Sequence, residues 1–224
     1  MKFLNLITLA SFAAANPYRR QQQTVTGSIQ NSVNTLSGAT VSTLNEIDGA
    51  VQSIKDNTDA QLIVQLQAAV KANYQAIATA LTGATTSIVL VTTGAVGGVV
   101  GQAAGLTLEQ VAQLTASVES VVESVENIGA TVTVTVTDLT PALRAAFQSE
   151  INAVKAALNP FIYPIALFAR AVLNANAGAG ATITGLEDAL ANLVRIQTEL
   201  VASIGLPSLP PFPPLPTLPA RPGN

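Results

Sequence analysis

From Val25 onward, apolar residues fall every three or four positions: Val25, Ile29, Val33, Leu36, Val41, Leu44, Ile47, Val51 and Ile54. That step returns to one side of a helix at each turn, so the stretch predicts an amphipathic helix. Gly27, Gly38 and Gly49 weaken it and leave one interrupted helix or two as alternatives. Asp56-Asn57-Thr58 breaks the pattern and re-caps the chain. A second helix is predicted to about Leu81, with Leu62, Leu66, Ala69, Val70, Tyr74, Ile77 and Leu81 on one side.

Residues 84–106 read differently. Ile88-Val89-Leu90-Val91 is apolar all round, and no charge occurs between Lys71 and Glu109. Gly97, Gly101 and Gly105 recur every fourth residue, as do Gly94 and Gly98. Glycines four apart on a helix allow another backbone to approach closely, so a buried central helix packed through its glycines is expected. A bilayer span over 84–106 is the alternative, since the length suffices.

Thr107-x-x-Gln110 is a capping box. Behind it, Val111, Leu114, Val118, Val121, Val125 and Ile128 form a seam, with Glu119, Glu123 and Glu126 pointing away and Gly129 as a stop. Residues 131–137 alternate Thr and Val, which suits a strand, yet Ile128, Val132, Val136, Leu139, Leu143 and Phe147 keep a helical step. A lone strand lacks a partner, so helix or extended linker is expected. Thr140-Pro141 opens a further helix, Asn159-Pro160 repeats the start signal, and Pro164 permits a kink. After a loop from Asn174 to Gly180, Thr184 is expected to cap a last helix carrying Leu186, Leu190, Leu193, Ile196, Leu200 and Ile204, stopped by Gly205 and Pro207. The fold class predicted is all-α, a bundle of about five to seven amphipathic helices over residues 24–205.

In the tail, residues 206–224, Leu206, Leu209, Phe212, Leu215 and Leu218 recur every third residue, each followed by proline. Polyproline II has three residues per turn, so all five would share one edge. That edge is either a ridge that docks on the helices or on an outside surface, or part of a proline-rich spacer.

The N-terminus adds a compartment. Lys2, the short apolar stretch Phe3 to Phe12 and Ala13-Ala14-Ala15 read as a signal peptide over residues 1–15, with 16–23 a linker or propeptide containing Arg19-Arg20. Removal through Arg20 takes three of the 10 basic residues, leaving a net charge near −6 against 13 acidic residues. Nucleic-acid binding, which needs clustered Lys and Arg, is excluded on that balance. Charged residues are only 10% of the chain and apolar ones 49%, so little charge is left to cover the surface, and exposed apolar area marks binding faces.

Candidate chemistry is thin. The chain has no His and no Cys, so Ser-His-Asp and Cys-His arrangements cannot be built and no metal or cofactor is expected. The acids at 119, 123 and 126 read as a solvated helix face. Phe147, Phe161, Tyr163 and Phe168 gather in one stretch with Arg144, Lys155 and Arg170 interleaved. They read as core aromatics or as the wall of an apolar cavity. In the cavity reading, Arg144 or Arg170 would anchor a fatty-acid carboxylate, and Tyr74, Leu209, Phe212 and Leu215 would join Phe147, Phe161, Tyr163 and Phe168 as apolar contacts.

The Ala/Val/Leu-rich amphipathic helices, above all Leu143 to Leu173 and Leu186 to Ile204, behind a signal peptide and without Cys, His or Trp, resemble fungal hydrophobic surface-binding proteins and the related cell-wall galactomannoproteins. The resemblance implies a helical bundle, adsorption to hydrophobic surfaces or lipid binding, and an extracellular or cell-wall location with wall polymers as further partners. The glycine repeat and the triplet tail are not features of that pattern. Expected, then, is a secreted, non-catalytic protein that binds hydrophobic surfaces or lipids. A soluble fatty-acid carrier with an internal cavity and a membrane-embedded protein are the alternatives.

Overall fold

The computed structural model describes residues 24–93, 98–176 and 181–212. The signal peptide and linker expected over 1–23, Gly94 and Gly97 of the glycine repeat, and Leu215 and Leu218 of the tail lie outside them. The described residues are helical throughout apart from short connections and the start of the tail. The helices are α1 (Val25–Asp56), α2 (Ala60–Thr93), α3 (Gly98–Ala104), α4 (Leu108–Asp138), α5 (Pro141–Ala175) and α6 (Ala181–Ile204). The all-α bundle is therefore what the chain forms.

Several helices are longer than the sequence pattern predicts. α1 is a single helix through Gly27, Gly38 and Gly49. Its buried stripe, Ile29, Val33, Leu36, Leu44, Ile47, Val51 and Ile54, gains more than the roughly 1 kcal/mol each glycine loses. The cap of α2 is Asp59 rather than Thr58: Asp59 Oδ1 accepts from the Gln61 and Leu62 amides at 2.9 and 3.3 Å. α2 then runs past Leu81, burying Val70, Tyr74, Ile77, Leu81 and Ile88 at steps of three, four and seven. Leu62, expected on that inner side, is 36% exposed.

The capping box of α4 forms as expected, with the Thr107 and Gln110 side chains each accepting the other's backbone amide. Neither Gly129 nor the Thr/Val run ends that helix. Thr133, Thr135 and Thr137 donate their hydroxyls to the carbonyls four residues back, at 2.8, 2.9 and 3.0 Å, so β-branched residues with polar tips stay in register. Residues 131–137 are therefore helix, inside α4, with Thr131, Val132 and Thr135 buried.

α5 continues through Pro160 and Pro164, so Asn159-Pro160 is not a second start. Each proline removes an amide that would bond the carbonyl four residues earlier, here those of Ala156 and Pro160. Both of those residues are exposed, so water can take the freed acceptors. α6 begins before Thr184, which lies inside it, and stops at Gly205, whose φ of 68° is the left-handed conformation that glycine adopts most readily.

α1 packs on α2 and on α4, α2 on α5, and α4 on α6, while α3 sits against α5. α1 and α4 run parallel: Thr26 faces Gln113, Asp48 faces Thr131, and Lys55 pairs with Asp138 at 2.8 Å. α6 also runs parallel to α4, Gly185 lying by Thr115 and Gly129 by Leu200. A Cβ at Gly129 would overlap Leu200 Cδ2, so this glycine marks a close approach of two helices. Of the repeat expected to do the same, Gly101 and Gly105 do not among the described residues. A Cβ at Gly101 would meet nothing, and one at Gly105 only its own preceding turn at 3.9 and 4.0 Å.

Candidate functional site

The sequence-predicted contact residues separate into two groups. Tyr74, Phe147, Phe161 and Phe168 are fully buried in the core, none with any exposed surface. Aromatic rings carry the largest apolar areas and the bundle places them at its centre, so these four are packing residues rather than contacts for an outside ligand. Tyr74 also anchors a polar seam. Its hydroxyl lies 2.5 Å from Thr135 Oγ1 and donates weakly toward the Thr131 carbonyl at 3.4 Å. Thr131 Oγ1 donates in turn to Asp48 Oδ2 at 3.3 Å. Burial pushes the Tyr74 hydroxyl far above the ordinary tyrosine range, despite the Thr135 bond. Desolvation likewise raises the Asp48 carboxyl, with the Thr131 hydroxyl pulling the other way. A tyrosine so held donates a hydrogen bond and does not ionise in the native protein.

Tyr163, Arg170, Leu209 and Phe212 come together. After Gly205 the chain turns back, and residues 206–212 lie against α5 and α6 as a non-helical strap. Leu206 is buried, and Leu209 and Phe212 pack on the core at its edge. The Phe212 ring stacks on Tyr163 at 5.4 Å, with 8° between the planes. The Arg170 guanidinium sits 5.4 Å from the same ring. Asn159 Nδ2 donates to the Pro207 carbonyl at 2.6 Å and more weakly to that of Ser208 at 3.5 Å, and Gln197 Nε2 donates to the Pro207 carbonyl at 3.2 Å. Lys155 Nζ donates to the Ile204 carbonyl at the end of α6, where a cation complements the helix dipole. Burial pushes the Lys155 ammonium pKa down. The apolar ridge of the tail thus faces its own bundle from Leu206 to Phe212. Arg144 stands about seven turns from Arg170 along α5, too far to share one carboxylate with it. Its Nε is buried without a hydrogen-bond partner.

Sequence reasoning missed the flank formed by α2 and α5. A groove of about 770 Å³ runs between them, lined by Ala78, Thr79, Thr82, Gly83, Thr86, Ala153, Ala156 and Pro160 among others. It is open to solvent, not an enclosed chamber. Its threonines spend their hydroxyls on their own helix: Thr79, Thr82, Thr85 and Thr86 donate to carbonyls four residues back at 2.8 to 3.0 Å. No charged residue occurs between Lys71 and Glu109, nor between Lys155 and Arg170. Val64 and Leu90, 64% and 67% exposed, extend the apolar character along α2. The signal available in the sequence was the charge gap itself.

A second, smaller groove of about 240 Å³ lies between α4 and α6, lined by Glu119, Glu123, Glu126, Asp188 and Asn192 with Val122 and Ala189. The acids point away from the seam as expected. No group of three acids close enough to hold a metal ion occurs among the described residues. Comparison with protein-family models, with curated proteins and with solved structures gives no match.

Proposed function

We propose that this is a secreted, non-catalytic protein that adsorbs to hydrophobic surfaces or lipid through the α2–α5 flank. The observation that carries this reading is the mismatch between the hydropathy of α2 and its burial. Over residues 60–92 its best 18-residue window has a mean hydropathy of 1.3, yet only 28% of that window is buried. α5, at 1.5, is 50% buried. An apolar helix left mostly outside the core has surface whose removal from water is favourable, and a hydrophobic surface supplies the means. The chemistry of the groove lining fits: uncharged, with its threonine hydroxyls already satisfied, so contact with an apolar phase strands few polar groups there. Secretion rests on the first fifteen residues, and a cell-wall or extracellular setting on the resemblance to fungal surface-binding proteins.

Two other occupants are separable. A carrier would hold its lipid in a closed chamber, whereas the α2–α5 groove is open along its length. Bilayer insertion would use α2 or α5, both long and apolar enough to cross a membrane. The segment 84–106 is not one described helix, since α2 ends at Thr93 and α3 begins at Gly98. Adsorption is preferred because the inner face of α2, from Val70 to Ile88, is already committed to the core.

The test is to incubate the purified protein with hydrophobic beads and, in parallel, record its native mass spectrum and its partition between detergent and water. Depletion onto the beads, an unliganded mass and an aqueous partition are expected. Protein that stays in solution beside the beads sinks the reading. A stoichiometric lipid adduct would establish the carrier, and entry into the detergent phase the membrane protein.

A further inference from the structure

The groove between α2 and α5 has small side chains on both walls, but its backbone is not apolar throughout. Pro160 and Pro164 lie inside α5 and carry no amide hydrogen, so the carbonyls of Ala156 and Pro160 lack the donor that the next helical turn supplies. Ala156 and Pro160 both line the groove, and both are exposed. Glu150 precedes the lining residues Ala153 and Ala157 by three and seven positions, on the same side of α5. Its Oε2 is buried with no hydrogen-bond partner. The α2 wall adds no donor, because Thr79, Thr82, Thr85 and Thr86 give their hydroxyl hydrogens to carbonyls of their own helix. The groove therefore combines an apolar lining with hydrogen-bond acceptors and no free donor.

That combination narrows what the flank can take up. A wholly apolar phase would cover the freed carbonyls and leave their hydrogen bonds unmade. A fatty-acid carboxylate or a phosphate brings further acceptors and a negative charge toward Glu150. A neutral lipid with an O–H supplies the missing donor. Among such lipids a sterol suits a smooth groove best. Its fused rings are rigid and flat, so laying them on Ala, Gly and Thr orders few bonds, whereas a long-chain alcohol must give up many rotors. The groove's volume of about 770 Å³ lies within the roughly 300–1,000 Å³ of small-molecule sites. Being open along its length, it covers one face of the ligand, as suits a sterol still seated in a lipid surface.

Building on the adsorption reading above, we propose that the α2–α5 groove recognises the sterol of a lipid surface. The carbonyls freed by Pro160 and Pro164 are the acceptors for its hydroxyl, and the small side chains of α2 and α5 cover a ring face.

The test uses phosphatidylcholine vesicles of three kinds: with one-third cholesterol, with the same share of cholesterol methyl ether, and with neither. The ether keeps the rings and loses the donor. Co-flotation of the purified protein with the cholesterol vesicles is expected at least fivefold above the other two. Pro160→Ala combined with Pro164→Ala returns an amide to each carbonyl and favours the helix. This variant should lose the preference for cholesterol while still depleting onto hydrophobic beads. As a check independent of the prolines, Gly83→Leu has open space for its side chain, should fill the groove, and should weaken flotation with cholesterol vesicles at least threefold. Equal binding to cholesterol and its ether, a preference kept in the double proline variant, or indifference to Gly83→Leu overturns the proposal. Depletion of the unaltered protein onto the beads would then leave adsorption standing, whereas a protein that also ignores the beads loses both readings.

Discussion

Two grooves of the bundle, one between α4 and α6 and one between α2 and α5, end up with opposite chemistry. Between α4 and α6 the helices approach so closely that Gly129 gives up its Cβ space to Leu200, and the rim left outside carries Glu119, Glu123, Glu126 and Asp188. Between α2 and α5 the lining is Ala, Thr, Gly and Pro, the groove is wider, and no charged residue lines it. Like charges gathered on one side keep that side hydrated and repel apolar or anionic phases. The uncharged side has no such barrier. The contrast teaches that orientation on a surface is written into where the acids are, not into the amount of apolar surface, since Val134 and Val194 on α4 and α6 are exposed as well.

The largest effect that would probe this contrast is at Gly129. Gly129→Val should cost about 3 kcal/mol in chemical denaturation, because an added Cβ and its two methyl groups meet Leu200 in a packed seam. An unchanged midpoint would mean that α4 and α6 do not approach as described. Next comes Tyr74→Phe, which should lose about 1 kcal/mol by removing the hydroxyl that meets Thr135, with secondary structure unaltered by circular dichroism. In the opposite groove, Gly83→Ala should raise stability by roughly 0.5–1 kcal/mol, since a Cβ there meets nothing and alanine favours the helix. The same Gly-to-larger change thus has opposite signs on the two sides. The smallest effect is electrostatic. Lys55 beside Asp138, through its hydrogen bond and its charge, holds that carboxyl below the usual range. The folded pKa lies below the unfolded one, so the contribution is present above about pH 4 and is lost as pH falls through the folded value. Lys55→Met should shrink that acid-side loss slightly when melting temperatures are compared between pH 2 and pH 5.

Much of the bundle is legible from period alone. Val111, Leu114, Val118, Val121, Val125 and Ile128 are all buried, as their spacing requires, and the Thr107–Gln110 box sits where the sequence puts it. Boundaries were less legible because single-residue signals are weak against packing. Glycines at 27, 38 and 49 and prolines at 160 and 164 sit inside helices whose buried stripes outweigh the local cost. The aromatic stretch of α5 reads as core or cavity wall from the sequence alone, and burial decides for core at Phe147, Phe161 and Phe168. The two surfaces that matter most were only half visible. A triplet ridge shows that it will share an edge, not that Asn159, Tyr163 and Arg170 lie beneath it. A gap in charge shows an uncharged stretch, not that another uncharged stretch of α5 lies alongside.

Where the protein touches an apolar phase is tested most directly by one paired measurement. Adsorption isotherms on hydrophobic beads are compared for the unaltered protein, Leu90→Asp on α2 and Val194→Asp on α6, residues 67% and 40% exposed in the native bundle. A charge on the contacting flank should weaken adsorption by about tenfold or more, a loss of roughly 1.4 kcal/mol, while the same charge on α6 leaves the isotherm in place. Equal weakening by both, or none from Leu90→Asp, would contradict the assignment of the α2–α5 flank as the contact face.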